Sequence, residues 1–271
     1  MAPARTTRPS RDADEDGADS FKRVLVLGKV RDILDLFTLE EPELDLKQIR
    51  LGSGLPNSTC VRLVRNMVSD GLLTQAGPRY RIGISVLRWA AVALQGLNLV
   101  EIANPILASL RDATGESSGL FVRNGDQRVC IALSESTRAV GRRLMLGNVL
   151  PIHVGAPGKT LLAFDPVSED LLGSIRLNGL TERTYTDRRS LAQELGRIRR
   201  DGFAVSHGEW DSEVAGVAAP IFAADGNLMA AIGISGPLTR LSKNVLPDVI
   251  QAVSKAAAEM SSALGSSPRK G

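Results

Sequence analysis

Apolar residues near the start of the chain recur with the spacing of one helix face. Val30, Ile33, Leu34 and Phe37 stand at positions i, i+3, i+4 and i+7, which places their side chains on one side of an α-helix. Two glutamates and then Pro42 follow, and a proline cannot continue such a helix. The pattern therefore predicts a first amphipathic helix that ends before these residues.

A stronger helical pattern follows a glycine-rich segment. Residues 46–51 form a short segment that leads into a predicted tight turn at 52–54, and Pro56 then stands where a helix can start. Four apolar residues make the buried stripe of this helix: Cys60, Leu63, Val64 and Met67. A separate stripe is polar and cationic: Ser58, Arg62, Arg65 and Ser69. Gly71 is predicted to terminate the helix.

A hairpin is predicted directly after this helix. Leu72 and Leu73 open a strand, residues 76–78 supply a turn that contains Gly-Pro, and residues 79–82 return. Three short helices followed by a hairpin form a winged helix-turn-helix, a common DNA-binding motif.

The remainder of the chain combines helices with strands. One helix is predicted at 84–98, and a second helix is predicted to follow it and to end at Thr114. Apolar segments then flank Asn124-Gly125 and Asp225-Gly226, dipeptides typical of β-hairpin turns. Two further helices are expected between the hairpins, at 158–164 and 191–200, and a closing helix carries the apolar positions Leu246, Val249, Ile250, Val253, Ala257 and Met260. We therefore predict an α+β fold with an antiparallel sheet.

These patterns divide the chain into five segments. Residues 1–20 are polar and charged and are expected to form a disordered tail. The winged helix-turn-helix occupies 21–83, a linker helix occupies 84–98, and an effector-type domain occupies 99–265. Residues 266–271 form a second tail.

Composition narrows the class of protein. Hydrophobic residues make up 43% of the chain and charged residues 23%, with a formal net charge of +3, as expected of a globular, mildly basic protein. Cys60 and Cys130 are the two cysteines and do not form a metal-binding or disulfide pattern. The chain shows no apolar run of membrane-spanning length and no secretory signal, so we expect a cytoplasmic protein that does not interact with membranes.

Several catalytic patterns are incomplete. The segment GAPGKT at 155–160 resembles a phosphate-binding loop, but the Walker pattern requires a glycine where this chain has His153. His207-Gly208-Glu209 matches part of a zinc deaminase motif, yet no cysteine follows residue 130. The sequence therefore indicates a protein that is not an enzyme and requires no metal or other cofactor.

The third helix carries the residue types that a DNA-reading helix needs. Short polar side chains near its N-terminus can bond a phosphate or a base edge, and Arg62 can reach guanine or clamp a phosphate. Residues 21–83 contain 10 Lys or Arg against 7 Asp or Glu, and the excess of cations over acids is concentrated on this helix and the hairpin. A cationic stripe can also be an ordinary solvated face, and Ser or Thr near a helix start can cap it, so both interpretations remain open here.

Longer motifs resemble one family over about residues 24–264. LDLKQIRLGSGLPNSTCVRLVRNMVSDGLL followed by RYRIG, then LPIHVGAPGKTLLAF, IRRDGFAVSHGEWDSEVAGVAAPIFAADG and AAIGISGPLTRLS, are similar to the IclR family of bacterial regulators. The resemblance implies a winged-helix reader of double-stranded operator DNA, a GAF-like effector domain and a homodimer or homotetramer. It also implies a repressor or activator controlled by a small organic or aromatic acid.

The resemblance assigns candidate residues position by position. The expected DNA contacts are Asn57, Ser58, Thr59, Arg62, Arg65, Arg79 and Arg81. The expected effector contacts are Leu150, Ala156, Pro157, Gly158, Ser206, Gly216, Gly233 and Ser235. Gly158 is expected to open a helix whose free N–H groups accept a carboxylate. His153 is either a structural histidine or a ligand group.

The chain also departs from the family pattern. Asn57 replaces a common Lys or Arg, and Val61 replaces a common aromatic residue or His, so the operator is expected to differ from the usual one. Gly216 and Gly233 replace polar groups, which suggests a roomier and less polar pocket that accepts a ligand larger than a two-carbon acid. The glycines can equally serve close backbone packing. The alternative function is a metabolite-sensing signalling module whose N-terminal domain binds protein.

Overall fold

The chain divides into two compact units, residues 1–89 and 90–271, which we describe separately. The computed structural model describes residues 25–39, 41–95, 99–138, 144–166 and 168–266. The predicted tail at 1–20 and all but the first residue of the predicted tail at 266–271 lie outside these ranges. No helix within the described ranges combines the length and the apolar character that crossing a membrane requires.

Three helices form the first unit: α1 (Leu25–Leu34), α2 (Leu46–Ser53) and α3 (Asn57–Ser69). Ile33, Ile49 and the apolar stripe of α3 are buried in one core. α2 begins with a capping box, in which the Asp45 carboxylate accepts the Gln48 backbone N–H and the Gln48 side chain accepts the Asp45 N–H. The predicted tight turn at 52–54 is shorter than expected, because α2 continues through residue 53 and only Gly54 adopts the left-handed conformation.

A three-stranded antiparallel sheet completes this unit. The predicted hairpin is β2 (Leu73–Ala76) and β3 (Arg79–Ile82). A third strand, β1 (Glu43–Asp45), pairs with β3, so the strand order is β1-β3-β2. Sequence analysis missed β1, because it offers only one apolar residue, Leu44. The unit is a winged helix-turn-helix, as predicted.

Two helices follow. α4 (Ser85–Gln95) lies within the predicted helix 84–98, of which residues 96–98 lie outside the described ranges. The boundary between the two units falls inside α4. α5 (Leu99–Thr114) buries Ala103, Leu107 and Leu110, as its apolar spacing predicts.

A six-stranded antiparallel sheet forms the centre of the second unit. Its strands are β4 (Ser117–Asn124), β5 (Gln127–Ser134), β6 (Val149–Pro151), β7 (Ala204–His207), β8 (Val214–Phe222) and β9 (Leu228–Pro237). Their order is β6-β5-β4-β9-β8-β7. Asn124 pairs with Gln127, so the first hairpin turns through Gly125 and Asp126, and Gly125 adopts a φ of 63°. The antiparallel α+β prediction is confirmed.

Helices cover both faces of this sheet. α5 and α9 (Leu246–Ala263) bury one apolar cluster with Ile232 and Ile234 of β9. The helices α6 (Gly155–Phe164), α7 (Ser168–Ser174) and α8 (Arg188–Asp201) belong to the opposite side. There, residues of α6 and α8 share a second cluster with Ala218 and Ala231 of the sheet. Ala231 and Ile232 face opposite layers because successive residues of a strand point to opposite faces.

Candidate nucleic-acid interface and effector cavity

The face of α3 that points away from the core is polar, cationic and exposed. Cys60, Leu63, Val64 and Met67 are buried, as their spacing predicts. On the other face, the exposed candidate residues are Asn57, Ser58, Arg62 and Arg65, while Thr59 is half-buried. Pro56 precedes the helix and no side-chain hydrogen bond caps its start. The first backbone N–H groups of α3 can therefore bind an anion such as a DNA phosphate.

The two candidate arginines of the wing also lie on one exposed face. Arg79 and Arg81 are two residues apart on β3, so their side chains leave the same side of the sheet, while Tyr80 packs against the core. The unpredicted strand β1 places acids beside them, because Glu43 pairs with Arg81 and Asp45 with Arg79. The wing is therefore less cationic than the hairpin alone suggests.

A cavity in the second unit opens beside a row of residues on three strands. Ser206, Gly216 and Ser235 lie opposite one another on β7, β8 and β9. Ala156 and Pro157 at the start of α6 line the same cavity. The structure thus brings together five of the eight candidate effector contacts.

The other three candidates lie outside the lining of this cavity. Leu150 sits on the edge strand β6, opposite Arg128. A Cβ at Gly158 would approach the Ile152 carbonyl oxygen to 2.4 Å, and a Cβ at Gly233 would approach the Val217 carbonyl oxygen to 2.4 Å. These two glycines serve close backbone packing. Of the two glycines expected to make the pocket roomier, Gly216 and Gly233, only Gly216 therefore lines the cavity.

The start of α6 differs from the sequence expectation. The helix begins at Gly155, whose φ of 75° favours glycine, and not at Gly158. The Gly155 N–H is not free, because it donates to Glu209 Oε2 at 2.9 Å. A carboxylate of the chain itself therefore occupies this helix N-terminus.

Lys159 of the GAPGKT segment is a buried structural residue. Its side chain is 1% exposed, and Nζ lies 2.5 Å from Glu209 Oε1 and 3.1 Å from Glu194 Oε1. Nζ also donates to the Val205 carbonyl oxygen at 3.0 Å. Three acceptors saturate the three protons of the ammonium group, which leaves none for a phosphate.

Sequence analysis missed the most unusual residue of the cavity, Arg128. This residue lines the cavity and is only 4% exposed. Its guanidinium carbon lies 4.9 Å from the centre of the Phe121 ring. Nε donates to the Val154 carbonyl oxygen at 3.4 Å, but within the described residues Nη1 makes no hydrogen bond. One signal was available: Arg128 stands two residues before Cys130, in phase with the buried face of the strand.

The remaining candidate chemistry has a structural explanation. His153 is buried, and its Nε2 lies 3.1 Å from the Asn178 carbonyl oxygen. Burial lowers the pKa of His153, which favours the neutral ring. Burial also raises the pKa of Cys60, and raises that of Cys130 to about 11, so both thiols are protonated at neutral pH. Across the described part of the chain, no cluster of three His, Cys, Asp or Glu side chains could hold a metal ion.

Two family models match the chain. Residues 26–77 match the IclR helix-turn-helix domain. Residues 91–262 match the C-terminal domain of the bacterial transcriptional regulator IclR. Together the two models cover both units.

Relatives of known name match over most of their length. The HTH-type transcriptional regulator BhcR of Paracoccus denitrificans is 31% identical over 270 residues, which is 97% of this chain and 95% of the relative. The HTH-type transcriptional repressor AllR of Salmonella typhi is 30% identical over 219 residues, or 79% of this chain and 80% of the relative. Both relatives carry the name of a regulator.

Solved structures share the architecture. An IclR family transcriptional regulator from Brucella abortus superposes with a TM-score of 0.70 at 26% identity, covering 92% of this chain and 97% of that one. The IclR protein of Thermotoga maritima gives a TM-score of 0.67 at 25% identity, covering 89% and 99%. The chain therefore belongs to the IclR family of bacterial transcriptional regulators, whose helix-turn-helix domain binds DNA.

Proposed function

We propose that the protein binds a specific double-stranded operator and that a small organic acid in the cavity of the second unit controls this binding. One observation carries the proposal: the chain combines an exposed, uncapped cationic helix in one unit with a small, partly open cavity in the other. The first feature suits DNA. The second has the mixed apolar and polar lining of a small-ligand site, but its free volume is about 30 Å³, so a bound ligand must widen it.

The proposed DNA contacts divide by chemistry. Asn57, Ser58 and Thr59 at the start of α3 supply short hydrogen-bonding groups for base edges and phosphates, and Arg62 supplies a bidentate donor for guanine. Arg65 lies nearly one turn further along the exposed face and contacts the DNA backbone. Arg79 and Arg81 contact phosphates or the minor groove from the wing. Both arginines are exposed there, together with Ile82, so DNA can reach them.

The proposed effector contacts are the residues around the cavity. Ser206 and Ser235 offer hydroxyl groups, while Ala156, Pro157 and Gly216 shape the wall. Leu150, Gly158 and Gly233 lie beside this wall and support it without contacting the ligand.

We further propose that the protein acts as a homodimer or homotetramer in the bacterial cytoplasm, where its operator lies. A single winged helix contacts few base pairs, and two copies bound to two half-sites multiply the selectivity.

Fluorescence anisotropy with the DNA just upstream of the protein's own gene tests the first part of the proposal. Wild type, Arg62→Ala and Arg31→Ala are compared at two salt concentrations. We expect tight, salt-sensitive binding, because contacts to phosphates release counterions. Arg62→Ala should lose about 1–3 kcal/mol of specific binding, whereas Arg31→Ala on α1 should match wild type.

The same experiment separates the two candidate functions. If the protein binds neither this DNA nor any genomic fragment in a genome-wide pull-down, operator recognition is excluded for this chain. A signalling module whose first unit binds protein would then be the better description. Wild-type affinity in Arg62→Ala would remove Arg62 from the reading role.

A further inference from the structure

Arg128 is a buried cation whose hydrogen bonds are incomplete. Its Nη1 has almost no accessible surface and makes no hydrogen bond within the described residues. A buried donor without a partner destabilises the fold, and a charged donor does so more strongly than a neutral one. Proteins rarely retain such a group without a further partner, such as a bound water, an ion or a ligand.

The nearby carboxylate of Glu209 does not supply the missing hydrogen-bond acceptor for Nη1 of Arg128. Glu209 accepts hydrogen bonds from the Gly155 N–H at 2.9 Å and from Lys159 Nζ at 2.5 Å. Burial lowers the pKa of Arg128 to about 10, while the nearby carboxylate of Glu209 partly counteracts this effect. Arg128 therefore stays protonated at neutral pH, and the cavity contains a full positive charge.

We propose that Arg128 binds the carboxylate of a small acid whose body is apolar and which carries a single negative charge. This inference rests on the proposed function, in which the cavity holds the effector. A carboxylate matches the planar donors of a guanidinium group, and the contact would be a charge-assisted hydrogen bond shielded from water.

The other lining residues define the body of the ligand. Five large side chains present apolar surface to the cavity: Phe121, Leu144, Trp210, Val214 and Ile234. Ser206 and Ser235 add hydroxyl groups that can bond one further polar atom. This lining favours an aliphatic or aromatic acid over a strongly polar one.

An acidic cleft next to the cavity disfavours a second negative charge. The cleft shares Leu144, Val214 and Ser235 with the cavity. Among the described residues, its charged lining consists of four acids and two arginines: Glu116, Glu135, Asp211, Glu213, Arg138 and Arg240. Arg240 is committed to Glu116, with Nε 2.6 Å from Oε1 and Nη2 2.7 Å from Oε2. A second carboxylate on the ligand would face this net negative charge.

The test compares the full-length wild type with Arg128→Met and Arg189→Met. Arg189→Met is the matched control, because it removes the same charge from an exposed position of α8. The probes are butyrate, benzoate and succinate, with butyramide and benzamide as neutral counterparts of the first two. Isothermal titration measures affinity, and thermal unfolding measures the melting temperature with and without each probe.

We expect butyrate or benzoate to bind wild type, and its amide and succinate to bind at least about tenfold more weakly. Arg128→Met should weaken binding of the acid at least about tenfold, and Arg189→Met should leave it unchanged. Without any probe, Arg128→Met should melt at a higher temperature than wild type, because methionine removes an unpaired buried charge while filling its space. A purely structural arginine would give the opposite shift.

Three binding results would overturn the assignment of Arg128: no acid of the set binds wild type, an acid and its amide bind equally, or Arg128→Met binds the acid as wild type does. A fourth result would come from thermal unfolding, if Arg128→Met melts at a lower temperature than wild type or fails to unfold cooperatively. Equal binding of succinate and butyrate would overturn the single-charge requirement. Operator binding is measured separately. A neutral compound that alters operator binding would therefore leave the proposed function standing while removing the role of Arg128.

Discussion

Lys159 and Glu209 form a buried ion pair in which Nζ lies 2.5 Å from Oε1. The same carboxylate holds the first N–H of α6 through Oε2. The Glu209 backbone is fixed as well, because its carbonyl oxygen accepts the Thr184 hydroxyl at 2.6 Å. One side chain thus joins α6, whose first residues line the cavity, to the loop that follows β7.

This pair should contribute strongly to stability, because its members are almost fully buried. Lys159→Met leaves the Glu209 carboxylate buried without its cation and should lower the free energy of unfolding by about 3–5 kcal/mol. Urea denaturation monitored by circular dichroism measures this change. The control Lys255→Met removes an exposed lysine of α9 whose Nζ lies 3.9 Å from Glu259, and should change stability by less than about 0.5 kcal/mol.

A double variant checks the physical reason. Lys159→Met with Glu209→Gln removes both charges, so it should recover part of the stability that Lys159→Met alone loses. Equal losses in the single and double variants would show that packing around Lys159, and not the unpaired carboxylate, is responsible.

Glu194 should make stability depend on pH in the acid range. Burial acts to raise its pKa, but hydrogen bonds and charges from Arg197 and Lys159 outweigh burial and lower the pKa from 4.5 to about 2. A carboxyl group with a lowered folded-state pKa stabilises the fold above its unfolded pKa, and this contribution disappears as the pH falls through the folded value. Part of the stability should therefore be lost between pH 4.5 and about 2.

Unfolding free energies of wild type and Glu194→Gln across this pH range measure the effect. The variant should be less stable near neutral pH and should show a shallower loss on acidification. Parallel curves for the two proteins would exclude Glu194 as a source of the pH dependence.

Helical periodicity predicted the reading helix because the information is local. Cys60, Leu63, Val64 and Met67 recur on one face, and this face alone fixes which residues of α3 point outward. The same reasoning found α9 and the antiparallel hairpins, since each depends on residues that are close in sequence.

The missed features depend on partners that are distant in sequence. β1 consists of Glu43, Leu44 and Asp45 and becomes a strand only by pairing with β3. Arginine is seldom buried, so the position of Arg128 in phase with Cys130 does not by itself predict a buried cation. The assignment of Gly158 as the start of α6 failed because the N–H of Gly155 is bonded to Glu209, a residue far along the chain.

Close packing at Gly233 gives a further prediction. A Cβ there would lie 2.4 Å from the Val217 carbonyl oxygen and 2.9 Å from the Ala218 Cβ. Gly233→Ala should therefore destabilise the second unit by about 1–3 kcal/mol, because the backbone must move. Gly196→Ala on α8 is the control: nothing lies within 4 Å of its Cβ position, so it should stabilise by about 0.5–1 kcal/mol. A Gly233→Ala protein of normal stability with altered ligand preference would instead place Gly233 in the effector site.

Strand β1 gives a prediction about DNA affinity. Glu43 pairs directly with Arg81, so its side chain lies on the same face as the two wing arginines. DNA brought to this face would meet a carboxylate as well as two guanidinium groups, and the carboxylate repels phosphate. Glu43→Gln removes this charge and keeps the size of the side chain. The variant should bind operator roughly two- to fivefold more tightly at low salt, since a partly exposed charge such as that of Glu43 contributes about 0.5–1 kcal/mol.

Anisotropy titrations at two salt concentrations measure this effect. The gain should shrink as salt rises, because exposed charges separated from phosphate by several ångströms are screened. Glu259→Gln on α9 makes the same chemical change in the second unit and should leave operator affinity unchanged. If Glu43→Gln binds no more tightly than wild type while Arg81→Ala also binds normally, the wing face is not in contact with DNA. Recognition would then rest on α3 alone.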